Sequence, residues 1–227
     1  MLLAILVLFG TVLGAGWGAG QVPAAQGGRW LKPLLAFSGA YLFTLTVTHL
    51  LPEAWQLLLE VLSQGVEHGH VHVHHEPVSG AGKAPYALVG ALVLHSFLEG
   101  SILVRNPAAG TVSENFYAIV GGVALHHIPA AFALSTLLRL RLGSFGRVWP
   151  WLLVFALASP AGILVSNYVV LGELLRGGLY AALLGLVAGN FLHVSTTILF
   201  ETSPEHRLNW AKLAATLAGL TMALLVA

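Results

Sequence analysis

The chain contains no cysteine, which excludes disulfides and thiolate metal sites alike. Charge is scarce: only 8% of the 227 residues are Asp, Glu, Lys or Arg, against about 25% in an average globular domain. That composition does not suit an ordinary water-soluble domain. The formal net charge is +1 and no basic patch exists, so the chain offers nucleic acid nothing to bind. A phosphate-binding loop is missing too, and nothing points to ATP use. The first apolar run lacks the basic leader of a secretory signal. Its Gly14, Gly16, Gly18 and Gly20 look instead like a helix-packing surface.

What the chain has in abundance is apolar length. Hydrophobic residues make up 57% of it, with a mean hydropathy of +0.83. Apolar runs occupy roughly 1–19, 33–51, 85–104, 116–138, 149–171, 179–200 and 210–227, each near the ~20 residues that a spanning helix needs. Lipid offers the backbone no hydrogen-bond partners, so such runs must be helical. The expected fold is an all-α integral membrane protein, one transmembrane domain over 1–227.

Every Lys and Arg lies at or near the end of a run, so their distribution orients the chain. Seven strictly alternating spans would put Arg29, Lys32, Arg105 and Arg176 on one side and the other six on the opposite side. A double crossing between Lys32 and Lys83 changes the balance. Arg29, Lys32, Lys83, Arg139, Arg141, Arg147, Arg207 and Lys212 then share the cytoplasmic side, leaving only Arg105 and Arg176 outside. The extra crossing has a candidate. Pro52 is expected to break the helix after Leu51, and the apolar stretch Ala54–Val66 follows. That stretch would give about 20 Å of helix against ~30 Å of hydrocarbon. It reads as a shortened or re-entrant third helix, or as an amphipathic helix lying in the interface.

Ionisable groups inside the membrane cost roughly 2.5–3.5 kcal/mol each on insertion scales, so by default they mark function. His95 and Glu99 are four apart, on one face of a helix. His126 and His127 occupy the next run, and His95 and His126 are each the eleventh residue of their run. In consecutive antiparallel helices they fall at similar depth. His95, Glu99 and His126 can therefore converge on one ion, and imidazole with carboxylate suits zinc and similar divalent metals. Gly122, His126 and Ala130 form a stripe whose small residues let helices approach closely, and Pro129 frees the carbonyl of Leu125. His49 with Glu53, and His193 with Glu201, lie towards the ends of their runs. They read as ligands at the way in or out of a metal path, or as interfacial groups that snorkel to water. His68, His70, His72, His74 and His75 crowd the loop Glu67–Glu76. Such a tract binds metal without a fixed fold, or is a solvated loop with incidental histidines.

His49-Leu50-Leu51-Pro52-Glu53-Ala54, the His-x-x-x-Glu-Gly of His95–Gly100 and the His-x-Ile-Pro of His126–Pro129 resemble the ZIP family of divalent-metal transporters, in its bacterial type. The three motifs occur in family order, and the resemblance covers nearly the whole chain. It implies a helical bundle of seven full transmembrane helices plus the shortened third helix. The family's fourth and fifth helices would carry a metal path, with Zn²⁺ or another divalent transition metal as the transported ion and no organic cofactor. It also implies that His95, Glu99 and His126 are the site ligands. His127 is read as a fourth metal residue of the same transport site, although it points about 100° from His126 around the helix, and 67–83 is expected to be a His-rich cytoplasmic loop. The partners would be the lipid bilayer and the metal ion, in the plasma (inner) membrane, and a homodimer is left open. Many members hold two metals, using Asn, Glu and Glu where this chain has Ser96, Ala130 and Ser159. The second site is therefore expected to be absent.

An alternative is an intramembrane zinc hydrolase of the seven-helix type. It would use His95, His126 and His193 as ligands, with Glu99 as general base to a metal-activated water.

Overall fold

The computed structural model describes residues 1–22, 24–56, 84–104, 115–169, 178–201 and 210–226. Among the described residues every regular element is helical, as an apolar chain in lipid requires. The helices are α1 (Leu2–Gln21), α2 (Ala24–Leu45), α3 (Ala84–Ser101), α4 (Phe116–Leu142), α5 (Phe145–Leu164), α6 (Gly178–Glu201) and α7 (Trp210–Val226). Four stretches, Leu2–Gln21, Leu31–Gln56, Phe116–Leu142 and Phe145–Tyr168, are long and apolar enough to cross a membrane. Hydroxyl groups on these helices bond to their own backbone: Thr44 to the Ala40 carbonyl, Thr46 to Leu42, Thr136 to Phe132. A polar side chain is thereby satisfied without water.

One expectation fails at Pro52. The sequence suggests a break there, yet the helix runs through it to Gln56. A π turn at Thr46–Leu50 precedes it, with the Leu51 N–H reaching back to the Thr46 carbonyl. The wider turn gives the proline ring clearance from the carbonyl it would otherwise meet. Ala54–Gln56 therefore extend α2 and begin no return leg, while 57–66 and the histidine loop 67–83 lie outside the described residues. A second π turn, Val165–Val169, extends α5 in the same way.

Long-range contacts fix which helix ends share a face. The Arg139 guanidinium donates to the Gly20 carbonyl at 2.7 Å, and Phe145 covers Gly20. The end of α1, the end of α4 and the start of α5 therefore share one face. Between the last two, Gly143 adopts φ 73° and stops α4, as glycine past a helix end commonly does. Tyr86 stacks near Trp151, which puts the start of α3 on that same face. At the opposite face the Asn115 amide meets His49, Asn167 donates to the Leu103 carbonyl and the Tyr180 hydroxyl to that of Ile102. Gln56 and Ala84 consequently sit at opposite faces of the bundle. Seven strictly alternating spans would have put them on the same one. Lys32, Arg139, Arg141 and Arg147 gather at or towards the first face.

The helices pack in two groups. One holds α1, α3, α4 and α5; in the other α2 packs on α6 and α7, and α2 also lies along α4. The stripe Gly122–His126–Ala130 was expected to bring the two histidine-bearing helices together. Instead Gly122 faces Tyr41 and Leu45 of α2, and α3 touches α4 sparsely. Of the four early glycines, Gly16 and Gly20 pack on Leu152 and Phe145 of α5, while Gly14 and Gly18 face open space. Two apolar clusters fill the bundle. One is built around Tyr41, Leu45, Ile119 and Phe191, the other around Val12, Leu134, Leu152 and Phe155. On α3 the first takes in Leu98 and residues beyond it, the second Val93 and residues before it. The ionisable residues lie in the gap between them.

Candidate metal centre

Helical spacing delivers the first two groups. On α3, His95 Nε2 and Glu99 Oε1 are 3.0 Å apart, one turn of helix. Glu99 is fully buried, and it is the one carboxylate among the buried described residues. From α4, His127 Nε2 lies 2.8 Å from Glu99 Oε2. The His126 ring stands edge-on to that of His95, with centroids 5.6 Å apart. The antiparallel placement read from the sequence thus brings both histidines to one depth.

Donor atoms of His95, Glu99 and His126 lie within 4.8 Å of one another. Ligands around a tetrahedral zinc stand about 3.3 Å apart, so modest side-chain rotation would close this set. Two observations fit a metal site better than a packed core. Glu99 Oε1 makes no hydrogen bond, despite the approach of His95, and neither does the buried His126 Nδ1. Buried polar atoms are nearly always partnered, and an orphaned carboxylate oxygen beside two imidazoles is a cation's environment. Three protein ligands would leave a fourth position on an ion open.

The surroundings hold these groups in place. The Asn190 amide of α6 contacts His95 Nδ1, bracing the ring through the nitrogen that does not face Glu99. Outer partners of this kind orient metal-binding histidines. Asn190 was missed from the sequence, although a lone amide in the middle of an apolar run was signal enough. Ser96 and Ser159, the positions where many ZIP members place second-metal ligands, do converge. Their hydroxyls are 3.0 Å apart, and Ser159 donates to the Ser96 carbonyl at 2.7 Å. Ala130 is half-buried and offers no donor.

The remaining predicted residues lie elsewhere. His49 is half-buried at the far face, with Nδ1 3.0 Å from the Asn115 amide and Nε2 buried without a hydrogen bond. Glu53 sits one turn on, also half-buried. Asn115 had not been singled out; nothing in its local sequence marks it. His193 is exposed on α6 and stands apart from the three-residue group. The hydrolase alternative needs His193 as a ligand and gains no support from this arrangement. Glu201 ends α6, its side chain lying outside the described residues, as do His68, His70, His72, His74 and His75.

Comparison with known proteins agrees with the motifs. A family model described as ZIP zinc transporter matches residues 60–227. Protein zntD of Dictyostelium discoideum is 30% identical over 157 residues, 64% of this chain and 22% of that protein. Zinc transporter ZIP1 of Danio rerio is 30% identical over 177 residues, 72% of this chain and 55% of that protein. The chain thus spans about a fifth of the first relative and about half of the second. With motifs in family order, an all-helical membrane architecture and a family match over most of its length, the chain belongs to the ZIP zinc transporter family.

Proposed function

We propose that this chain carries divalent metal ions, Zn²⁺ foremost, across the membrane through one site made by His95, Glu99 and His126. The observation that carries this reading is the buried Glu99 Oε1, without a hydrogen bond and facing two imidazoles. The family is one of zinc transporters rather than enzymes, and the relative named zinc transporter ZIP1 supports the choice of metal. Neutral imidazoles and one carboxylate bind zinc yet can let it go. Movement is a rigid-body shift of one helix group, with the site it carries, against the other, the kind of motion secondary transporters use. The basic face is cytoplasmic, by the positive-inside rule, so uptake runs from the His49 end towards the Arg139 end, across the plasma membrane. His49 and Glu53 would receive the ion, His193 and Glu201 would pass it on, and the histidine loop would act as an accessory reservoir.

Zinc uptake into proteoliposomes tests the reading. His95→Ala and Glu99→Ala should each reduce flux at least tenfold at equal protein in the bilayer. Replacing the five loop histidines with Ser should leave flux measurable. Near-normal uptake by Glu99→Ala would sink the proposal. For the orientation, single cysteines at 30 and 80 in this cysteine-free chain should react with an impermeant thiol reagent from the same side. Labelling from opposite sides would refute it.

A further inference from the structure

The Glu99 carboxylate is approached from two directions, and the hydrogen-bond donors on its second side run one way. A carboxylate only accepts, so His127 Nε2 carries the hydrogen of the 2.8 Å bond to Oε2. Ser159 spends its hydrogen on the Ser96 carbonyl at 2.7 Å. Ser96 therefore donates to the Ser159 hydroxyl at 3.0 Å. Its own oxygen is left facing His127 Nε2, 3.4 Å away. Phe155 packs against the His127 ring, centroids 5.4 Å apart, and the imidazole is almost wholly enclosed. A nitrogen that binds metal must present a lone pair, and Nε2 has none to give while it holds Glu99. The ring's remaining lone pair is on Nδ1, buried and without a hydrogen bond, and His127 stands outside the group of donor atoms that could share one ion.

We infer that His127 is a positioning residue and not a ligand: with Ser96 and Ser159 behind it, it holds Glu99 by Oε2 and turns Oε1 alone towards His95 and His126. The place where many ZIP members bind a second metal is thereby occupied by a protein network, and the site takes a single ion on two imidazoles and one carboxylate oxygen. This rests on the transport site proposed above.

The test uses the full-length chain in lipid nanodiscs, with the five loop histidines replaced by Ser and one equivalent of Zn²⁺ added. X-ray absorption counts the imidazoles on zinc, and chelator competition measures affinity. The expected result is two imidazoles in the parent, in His127→Gln and in His127→Ala. The Gln amide should restore the hydrogen bond and keep affinity within about threefold of the parent. The Ala variant should lose about 10–100-fold, as outer-shell partners typically do. Three imidazoles in the parent falling to two in His127→Gln would overturn the inference and leave the transport site standing. Unchanged affinity in His127→Ala, or equal loss in a folded His127→Gln, would also overturn it. A parent that binds no zinc would instead remove the proposed function itself.

Discussion

Glycine lines several helix seams, and two of them differ sharply in their neighbours. Where α3 meets α5, a Cβ at Gly100 would land on the Ser159 carbonyl, and one at Gly162 on the Phe97 carbonyl. Backbone there touches backbone, and neither side can give way. Where α4 meets α2, a Cβ at Gly122 would come 2.9 Å from Leu45 Cδ2 and Tyr41 Cε1, the outer atoms of movable side chains. The first seam fuses two helices into one body. The second is a smooth surface with side chains resting on it, latched by the Tyr41 hydroxyl on the Ala118 carbonyl at 3.3 Å. The relative motion proposed for the helix groups would fall at the second seam.

The largest effect should come from Gly100→Ala. Overpacking a tight core typically costs about 1–3 kcal/mol, more where nothing can shift, so a loss of about 3 kcal/mol is expected. Thermal unfolding in detergent reads it, and an unchanged melt would erase the distinction between the seams. Gly122→Ala should sit in between. Its melt should stay within about 1 kcal/mol of the parent, because Tyr41 and Leu45 can move aside, while zinc flux falls several-fold as the sliding surface roughens. Unfolding as severe as in Gly100→Ala would show both seams to be equally rigid. Tyr41→Phe should do least, costing about 0.5 kcal/mol for one long hydrogen bond. Flux should shift by less than about twofold, and a collapse of transport would mean that the latch carries more than its geometry suggests.

The helices were legible because their apolar length is dictated by the bilayer, and the polar cluster because such groups stand out in lipid. That His95, Glu99 and His126 come together could be read from spacing alone. Which helix faces touch could not. In lipid the outer surface is as apolar as the core, so hydropathy does not distinguish buried Leu42 from its exposed neighbour Phe43. For that reason the Gly122 stripe was matched to the wrong partner, and Asn190 of α6 went unnoticed beside His95. Pro52 misled for a local reason: a proline ends an ordinary α-helix, and a π turn is invisible to residue propensities.

The solitary carboxylate has an electrical consequence. Holding a divalent cation, a centre with Glu99 and neutral imidazoles bears one net positive charge; emptied, it bears one negative charge. A membrane potential acts on each charge with about 2.3 kcal/mol per 100 mV over the full thickness. A negative interior pulls the filled centre inward and pushes the empty one back out. Voltage alone would then favour uptake in both halves of the cycle, and transport by this chain would register as current.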